Sequence, residues 1–271
     1  MNEVLVPVDS TCKDELLDFL YPDVGNCLYL YMDIETYEIG GGVIDVWVQR
    51  DESQGIVLVA MRYSDSFQLY AREGMEDSVN YEALAELIKA HDAMRVSATE
   101  GLIQKLADQM DDSYEMSFGS VLEIRKYKKM KVDGVTIEEA SREDIPEIAA
   151  LIQADEELGQ SYTVEELVHQ FQSRYDANSG KSFIIKVDGV IVAHLSFSAI
   201  TEKFVIEAYT IVRPEYRGFP YGAVLDSYVT NTIVPSMGKR AFAFMQEPRR
   251  IKLFELMGNP VVGKYGKLVR K

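Results

Sequence analysis

Apolar positions in the second half of the chain follow two alternating rhythms. In "SFIIKVDGVIVAHLSFSAI" two β-branched and aromatic runs meet at Asp188-Gly189, a dipeptide suited to a tight hairpin turn. "KFVIEAYTIV", "KRAFAFMQ" and "VVGKYGKLV" read as further strands. Between them the spacing changes to the helical period. "SREDIPEIAALIQ" predicts a helix started by Ser141, with Asp144 three residues on and Pro146 in its first turn. "TVEELVHQFQSRYD" predicts a second, opened by Thr163 and Glu166 as a capping box. "GAVLDSYVTNTIVPSM" and "PRRIKLFELMGN" are helices, the latter with Pro248 at its start and Gly258-Asn259 at its end. With a short strand in "TIEEA", the order is β-α-α-β-β-β-α-β-α-β.

The first half is less regular. "KDELLDFL" predicts a helix, and "CLYLYMDIETY" fits either a helix or a strand. "VIDVWVQR" and "GIVLVAMRYSDSFQLYA" read as strands, "NYEALAELIKAH" as an amphipathic helix with Leu84, Leu87 and Ile88 on one face, and "MRVSATEGLIQKLADQM" as a strand and a helix. After "SVLEIRKY" the chain turns basic and then bends at Asp133-Gly134, which puts a domain boundary near residue 132. The expectation is an α/β chain of mixed α+β character. Residues 1–132 form a smaller α+β domain of unknown role, and residues 133–271 form a mixed central sheet flanked by helices.

The 271 residues and 47% hydrophobic content suffice for two cores. No apolar run reaches membrane-spanning length, and the acidic start differs from a basic signal peptide. A soluble, cytoplasmic protein with no membrane partner is expected. Cys12 and Cys27 form no CxxC pair and no zinc spacing, so no metal is expected and reduced thiols are favoured over a disulfide. The charge is uneven: residues 1–132 carry 12 Lys+Arg against 25 Asp+Glu, whereas 133–271 carry 16 against 19. Nucleic-acid phosphates would be repelled by the first half, which suits a cationic or amine partner or simply confers solubility.

One stretch carries candidate chemistry. "VRPEYRGFPYGAVLDSY", Val212 to Tyr228, follows a strand and opens a helix. A helix start offers amides without intrahelical partners and the positive end of the macrodipole, and both attract an anion. Gly218 and Gly222 let a phosphate approach the backbone. GxxxxGK[ST] and GxGxxG are both absent. A plain strand-to-helix turn is the alternative.

This stretch resembles the pyrophosphate loop of the GNAT superfamily of acetyl-CoA-dependent N-acetyltransferases, R/Q-x-x-G-x-G/A, commonly preceded by V-x-P-E-Y. Arg217 takes the first motif position and Gly222 the last, after Pro214, Glu215 and Tyr216. The element order agrees with the family over residues 135–271, and "IKLFELMGNPVV" is similar to its L-Y-E-K-L-G-F segment. The resemblance implies a GNAT-like fold for the second domain, acetyl-CoA as co-substrate without a metal, and an amine of a small molecule or peptide as acceptor. It also allows the first domain to be a degenerate GNAT-like lobe. Ile211, Val212, Arg217, Gly218, Phe219, Tyr221, Gly222 and Ala223 are the implied cofactor-binding residues, with the amide of Ile211 or Val212 as oxyanion donor.

Two departures stand out. Pro220 replaces the middle Gly and brings no N–H. Phe254 stands where the family often has a tyrosine acid and cannot donate a proton. These departures support an alternative, a non-catalytic acyl-CoA-binding or regulatory module. Direct attack needs a base for the amine proton. Glu207 is the catalytic candidate, with Tyr209 two residues on along the same strand face. His194 reads as a core histidine or a base. His169 lies on the second helix and His91 at a helix end in the first half. Tyr265 is a substitute acid, and Arg249, Arg250 and Lys252 are either phosphate contacts or a solvated helix face. Oligomeric state stays open, a homodimer included.

Overall fold

The computed structural model describes residues 5–51, 53, 55–155, 163–208 and 210–271. In chain order its elements begin with β1 (Val6–Val8), α1 (Lys13–Leu20), α2 (Leu28–Thr36), β2 (Ile44–Asp51), β3 (Gly55–Tyr63), β4 (Ser66–Ala71), α3 (Tyr81–Ala90), β5 (Arg95–Thr99), α4 (Glu100–Ala107) and β6 (Tyr114–Ile124). There follow β7 (Ile137–Glu139), α5 (Ile145–Gln153), α6 (Val164–Asp176), β8 (Lys181–Val187), β9 (Val190–Ile200), β10 (Phe204–Glu207) and β11 (Ile211–Val212). The chain ends with α7 (Tyr221–Tyr228), α8 (Val234–Met237), β12 (Arg240–Met245), α9 (Pro248–Leu256) and β13 (Val261–Arg270).

Contacts divide the chain into two units. One comprises Met1–Val121, Met245–Glu247 and Val261–Lys271, and the other Leu122–Phe244 and Pro248–Pro260. The basic segment after β6 therefore belongs with the second unit, and β13 with the first.

In the first unit the strand order is β1-β2-β3-β4-β5-β13-β6. β13 runs antiparallel to β5, with Leu268 opposite Val96. Its Tyr265 ring lies against Gly119, where any Cβ would collide at 2.5 Å. The ambiguous "CLYLYMDIETY" is the helix α2. Leu28, Tyr31 and Ile34, with Leu30, are all buried, a spacing that only a helix brings to one side. From β1 to β6 the order is β-α-α-β-β-β-α-β-α-β, the same succession that the second half shows in sequence.

In the second unit the order is β12-β10-β9-β8-β7. Residues Ile191 to Phe197 of β9 are all buried, His194 and Ser196 included, so this strand shows an unbroken buried run rather than alternation. Asp188 and Gly189 both have positive φ, as the hairpin turn requires. Both expected capping boxes are present, Ser141 with Asp144 and Thr163 with Glu166. α5 and α6 cover one sheet face through Ile148, Leu151, Ile152 and Leu167 packed on Ile184, Ile191 and Ile211. Each such side chain contributes about 1.5–3 kcal/mol on full burial.

Two expected elements differ in the structure. "GAVLDSYVTNTIVPSM" is not one helix: α7 passes through a π turn at Val229–Ile233 into α8, next to Pro235, which has no N–H to give. "KFVIEAYTIV" is not one strand. β10 pairs antiparallel with β9 and parallel with β12 as far as Glu207, opposite Ala243. β11 pairs with β9 alone, Ile211 opposite His194 and Val212 opposite Ala193. β11 and β12 therefore part after Glu207, leaving a wedge beside β11.

Candidate active site

The strand-to-helix junction of the second unit is built from β11, a 3-10 turn at Pro214–Tyr216 and the start of α7. Its turn is self-contained: the Tyr216 amide donates to Arg213 O at 2.8 Å and the Phe219 amide to Tyr216 O at 3.0 Å. α7 opens at Tyr221 behind Pro220, which brings no side-chain acceptor. Its first intrahelical bond runs from the Val224 amide to Pro220 O. The amides of Tyr221, Gly222 and Ala223 are thus the uncapped first-turn donors of the helix.

The two glycines play different parts. A Cβ on Gly218 would meet nothing within 4 Å, so this side of the loop is open. A Cβ on Gly222 would stand 3.1 Å from Val212 Cγ2 and 3.6 Å from Thr210 Cγ2, so Gly222 lets α7 start close against the strand. Phe219 is 57% exposed and stacks on Tyr221 with ring centres 5.5 Å apart. Arg217 turns back on the strand end, donating to Val212 O at 3.3 Å and pairing with Asp155 at 3.3 Å.

The ladder sets which way the amides of the two expected oxyanion donors face. The Arg213 amide donates to Val192 O, and antiparallel bonding repeats every second residue, so the Ile211 amide also faces β9. Val212 faces away from β9, into the wedge, which is where Arg217 reaches its carbonyl.

Below the junction lies a set of polar groups. Glu207 ends β10, and its Oε1 is closed off from solvent without a hydrogen-bond partner. Burial, then the charge of Asp226, push its carboxyl up to about 8, with Arg250 opposing. Asp226 on α7 accepts a hydrogen bond from Thr210 Oγ1. Burial still holds it above the ordinary carboxylate range. The Tyr127 ring meets the Phe254 ring edge-on at 5.7 Å, and the Arg250 guanidinium lies 5.8 Å from the Phe254 ring centre.

Tyr127 is brought there by a strap, Arg125 to Met130. Asn259, fully buried, accepts from the Arg125 amide at 2.8 Å and the Lys126 amide at 3.0 Å, and donates to Lys126 O at 2.9 Å. Asn231 donates to Tyr127 O at 3.0 Å and accepts from its amide at 3.2 Å. Ser227 Oγ accepts from the Met130 amide. Sequence reasoning missed this strap. Its only signals were Asp226 within an apolar helix and Asn259 after a helix-ending glycine.

Of the other expected candidates, Tyr209 lies outside the described residues. His194 is a core residue, 1% exposed, with Nε2 3.1 Å from Ser182 Oγ and its pKa lowered to about 3 by burial, so it is neutral and remote from solvent. His169 is exposed on α6. His91 caps the end of α3 in the first unit, 5.3 Å from the Trp47 ring. Tyr265, the substitute acid, is in the first unit instead. Arg249 and Lys252 are exposed on α9, whereas Arg250 turns to Phe254. Cys12 and Cys27 are free thiols.

The first unit has its own strand-to-helix junction, between β4 and α3, and this one is closed by the protein. Gln49 Oε1 accepts from the Asn80 amide at 2.9 Å, Asn80 Oδ1 from the Ala83 amide at 3.1 Å, and Glu76 Oε2 from the Gly74 amide at 2.8 Å. Glu73, Glu76 and Asp77 surround it with negative charge. The second junction thus leaves first-turn amides without side-chain acceptors where the first does not.

Comparison with known proteins agrees with this asymmetry. Residues 149–258 match the model of the acetyltransferase (GNAT) family. No curated protein sequence matches the chain. Several solved structures match nearly its whole length. A tandem GNAT protein from the clavulanic acid biosynthesis pathway aligns at TM-score 0.60 and 13% identity, covering 97% of each chain. A Drosophila protein aligns at 0.70 and 12%, covering 99% of each. An acetyltransferase of the GNAT family from Colwellia psychrerythraea aligns at 0.59 and 11%, covering 98% of this chain and 99% of its own. At these identities the likeness is one of fold: two lobes, each a mixed sheet flanked by helices.

Proposed function

We propose that this chain, which carries a GNAT-family domain in its second half and a GNAT-like lobe before it, transfers an acetyl group from acetyl-CoA to an amine of a small molecule or peptide. The observation that carries this reading is the uncapped start of α7 beside the open face of Gly218, set against the closed junction of the first unit. Acetyl-CoA supplies the activated thioester. Amides of Gly218, Tyr221, Gly222 and Ala223 hold its diphosphate, with Pro220 contributing no donor. Phe219 and Tyr221 offer a flat apolar face to its purine. Val212 N–H, directed into the wedge, receives negative charge developing on the acyl oxygen. Glu207, at the mouth of the wedge, takes the proton of the attacking amine. Phe254 gives no proton to the leaving sulfur.

Thermal melts with acetyl-CoA, CoA and longer acyl-CoAs test binding, since a ligand specific to the folded state raises the melting temperature by mass action. Thiol release with a panel of amines then tests transfer. Stabilisation by CoA with no thiol released by any amine would favour the alternative, a CoA-binding module without catalysis. No helix among the described residues is long and apolar enough to cross a membrane.

A further inference from the structure

The strap after β6 is pinned through its backbone, and its lysines are left without a role. Arg125 to Lys131 carry five cations and no carboxylate; α9 carries three cations and one carboxylate, Glu255. The two stretches lie side by side. Asn259, just past α9, bonds the amides of Arg125 and Lys126; the Tyr127 ring meets the Phe254 ring, and the Lys126 side chain lies over Gly258. Lys126, Lys128, Lys129, Lys131 and Lys252 are exposed and form no ion pair among the described residues. Elsewhere exposed cations find carboxylates, as Arg50 does with Glu15 and Arg142 with Asp176. In a chain of 44 Asp and Glu against 28 Lys and Arg, five such lysines mark a surface from which acidic residues are held back. α9 adds an apolar part. Leu253 is 53% and Leu256 78% exposed, and with Arg249 and Lys252 they fall at i, i+3, i+4 and i+7, along the outer side of the helix. Apolar anchors rimmed by charge have the make-up of a docking surface.

The complement of this surface is acidic, and the chain itself supplies one. The first unit holds 11 Lys and Arg against 25 Asp and Glu. We propose that the strap and the outer side of α9 are the contact through which two copies of this chain pair, each copy's basic face lying against the acidic first unit of the other. Every copy carries both surfaces, so a closed pair makes the contact twice. The net charge of −16 opposes association at long range. At physiological ionic strength the Debye length is about 8 Å, so that repulsion is largely screened while charges in contact still attract. The pairing does not depend on the acyl-transfer reading.

Sedimentation equilibrium of the full chain at about 0.15 M salt measures the pairing, and a species of twice the chain's mass is expected. Lys128→Glu combined with Lys129→Glu sets like charges against the acidic unit in both contacts and should weaken pairing about tenfold or more. Lys264→Glu, an equal change of charge at an exposed position of the first unit, should leave pairing intact. Carbodiimide joins a lysine amine to a carboxyl group as an amide, with loss of water. In an equal mixture of ordinary and heavy-nitrogen-labelled protein, mixed-label cross-links should run from Lys128, Lys129, Lys131 or Lys252 to Asp and Glu of residues 1–121. Should the double variant not fold, those cross-links decide alone. The proposal is overturned by a chain that stays monomeric at every concentration reached, by a folded double variant that pairs as tightly as wild type, or by mixed-label cross-links confined to the second unit. A monomer that binds phosphatidylserine vesicles through the same lysines would give the face to a lipid surface, and the pairing proposal would fall.

Discussion

Asn259→Ala should be the most damaging single polar substitution around the site. The Asn259 side chain is fully buried and makes four hydrogen bonds, to the amides of Arg125 and Lys126 and the carbonyls of Lys126 and Phe254. Each is worth about 1 kcal/mol net, and stranding buried backbone groups adds to the loss. Water entering the vacated space recovers part of it. The expected cost is about 3 kcal/mol, and a lowering of the melting temperature by about 6–12 °C for a unit of this size. Asn231→Ala is the internal comparison. Asn231 binds the same strap through Tyr127 O and N, but from a half-buried position where water substitutes, so about 1 kcal/mol is expected. Urea unfolding followed by the Tyr127 and Phe254 surroundings in near-ultraviolet circular dichroism measures both. A loss below about 1 kcal/mol for Asn259→Ala, or equal losses for the two variants, would refute the claim that Asn259 pins the strap.

Gly218→Asp should abolish stabilisation by CoA while leaving the unliganded melting temperature within about 1 °C, because the new side chain enters open space. Gly222→Ala should instead cost about 1 kcal/mol of stability through its 3.1 Å approach to Val212, read by urea unfolding. Phe219→Ala should weaken CoA several-fold and pantetheine not at all in calorimetric titration, since only CoA carries the purine. Glu207→Gln should match wild-type stability near pH 4 and become progressively more stable than wild type as the pH rises toward about 8. The sign follows from a folded-state pKa raised above the ordinary 4.5: the native state holds a proton that the unfolded chain releases, so stability is lost through this window. Melting curves across pH check it.

Much of the second unit was legible because each local signal has a physical cause visible in one dimension. Thr163 with Glu166, Asp188 with Gly189, and Pro248 with Gly258 mark ends and turns through backbone chemistry that needs no partner. The junction at Arg217–Gly222 was legible for the same reason. What failed to show were changes of partner. Phe204 to Val212 has the same β-branched pattern on both sides of the point where it leaves β12, and nothing in that pattern says which neighbour a strand keeps. Val261–Arg270 is plainly a strand, but its apolar alternation is indifferent to the unit whose sheet receives it. The first unit's repeat of the same element order was obscured by α2, whose cluster of Leu28, Leu30 and Tyr31 suits a strand as well as a helix. Tyr127 was hidden in a basic run that reads as solvated, because its setting depends on Asn231 and Phe254, about a hundred residues or more away.

A crystal structure of the CoA complex tests the central claim most directly. The account predicts diphosphate oxygens within hydrogen-bonding distance of the amides of Gly218, Tyr221, Gly222 and Ala223. A diphosphate seated at the junction between β4 and α3, or the start of α7 capped by the protein's own acceptors with CoA bound elsewhere, would contradict it.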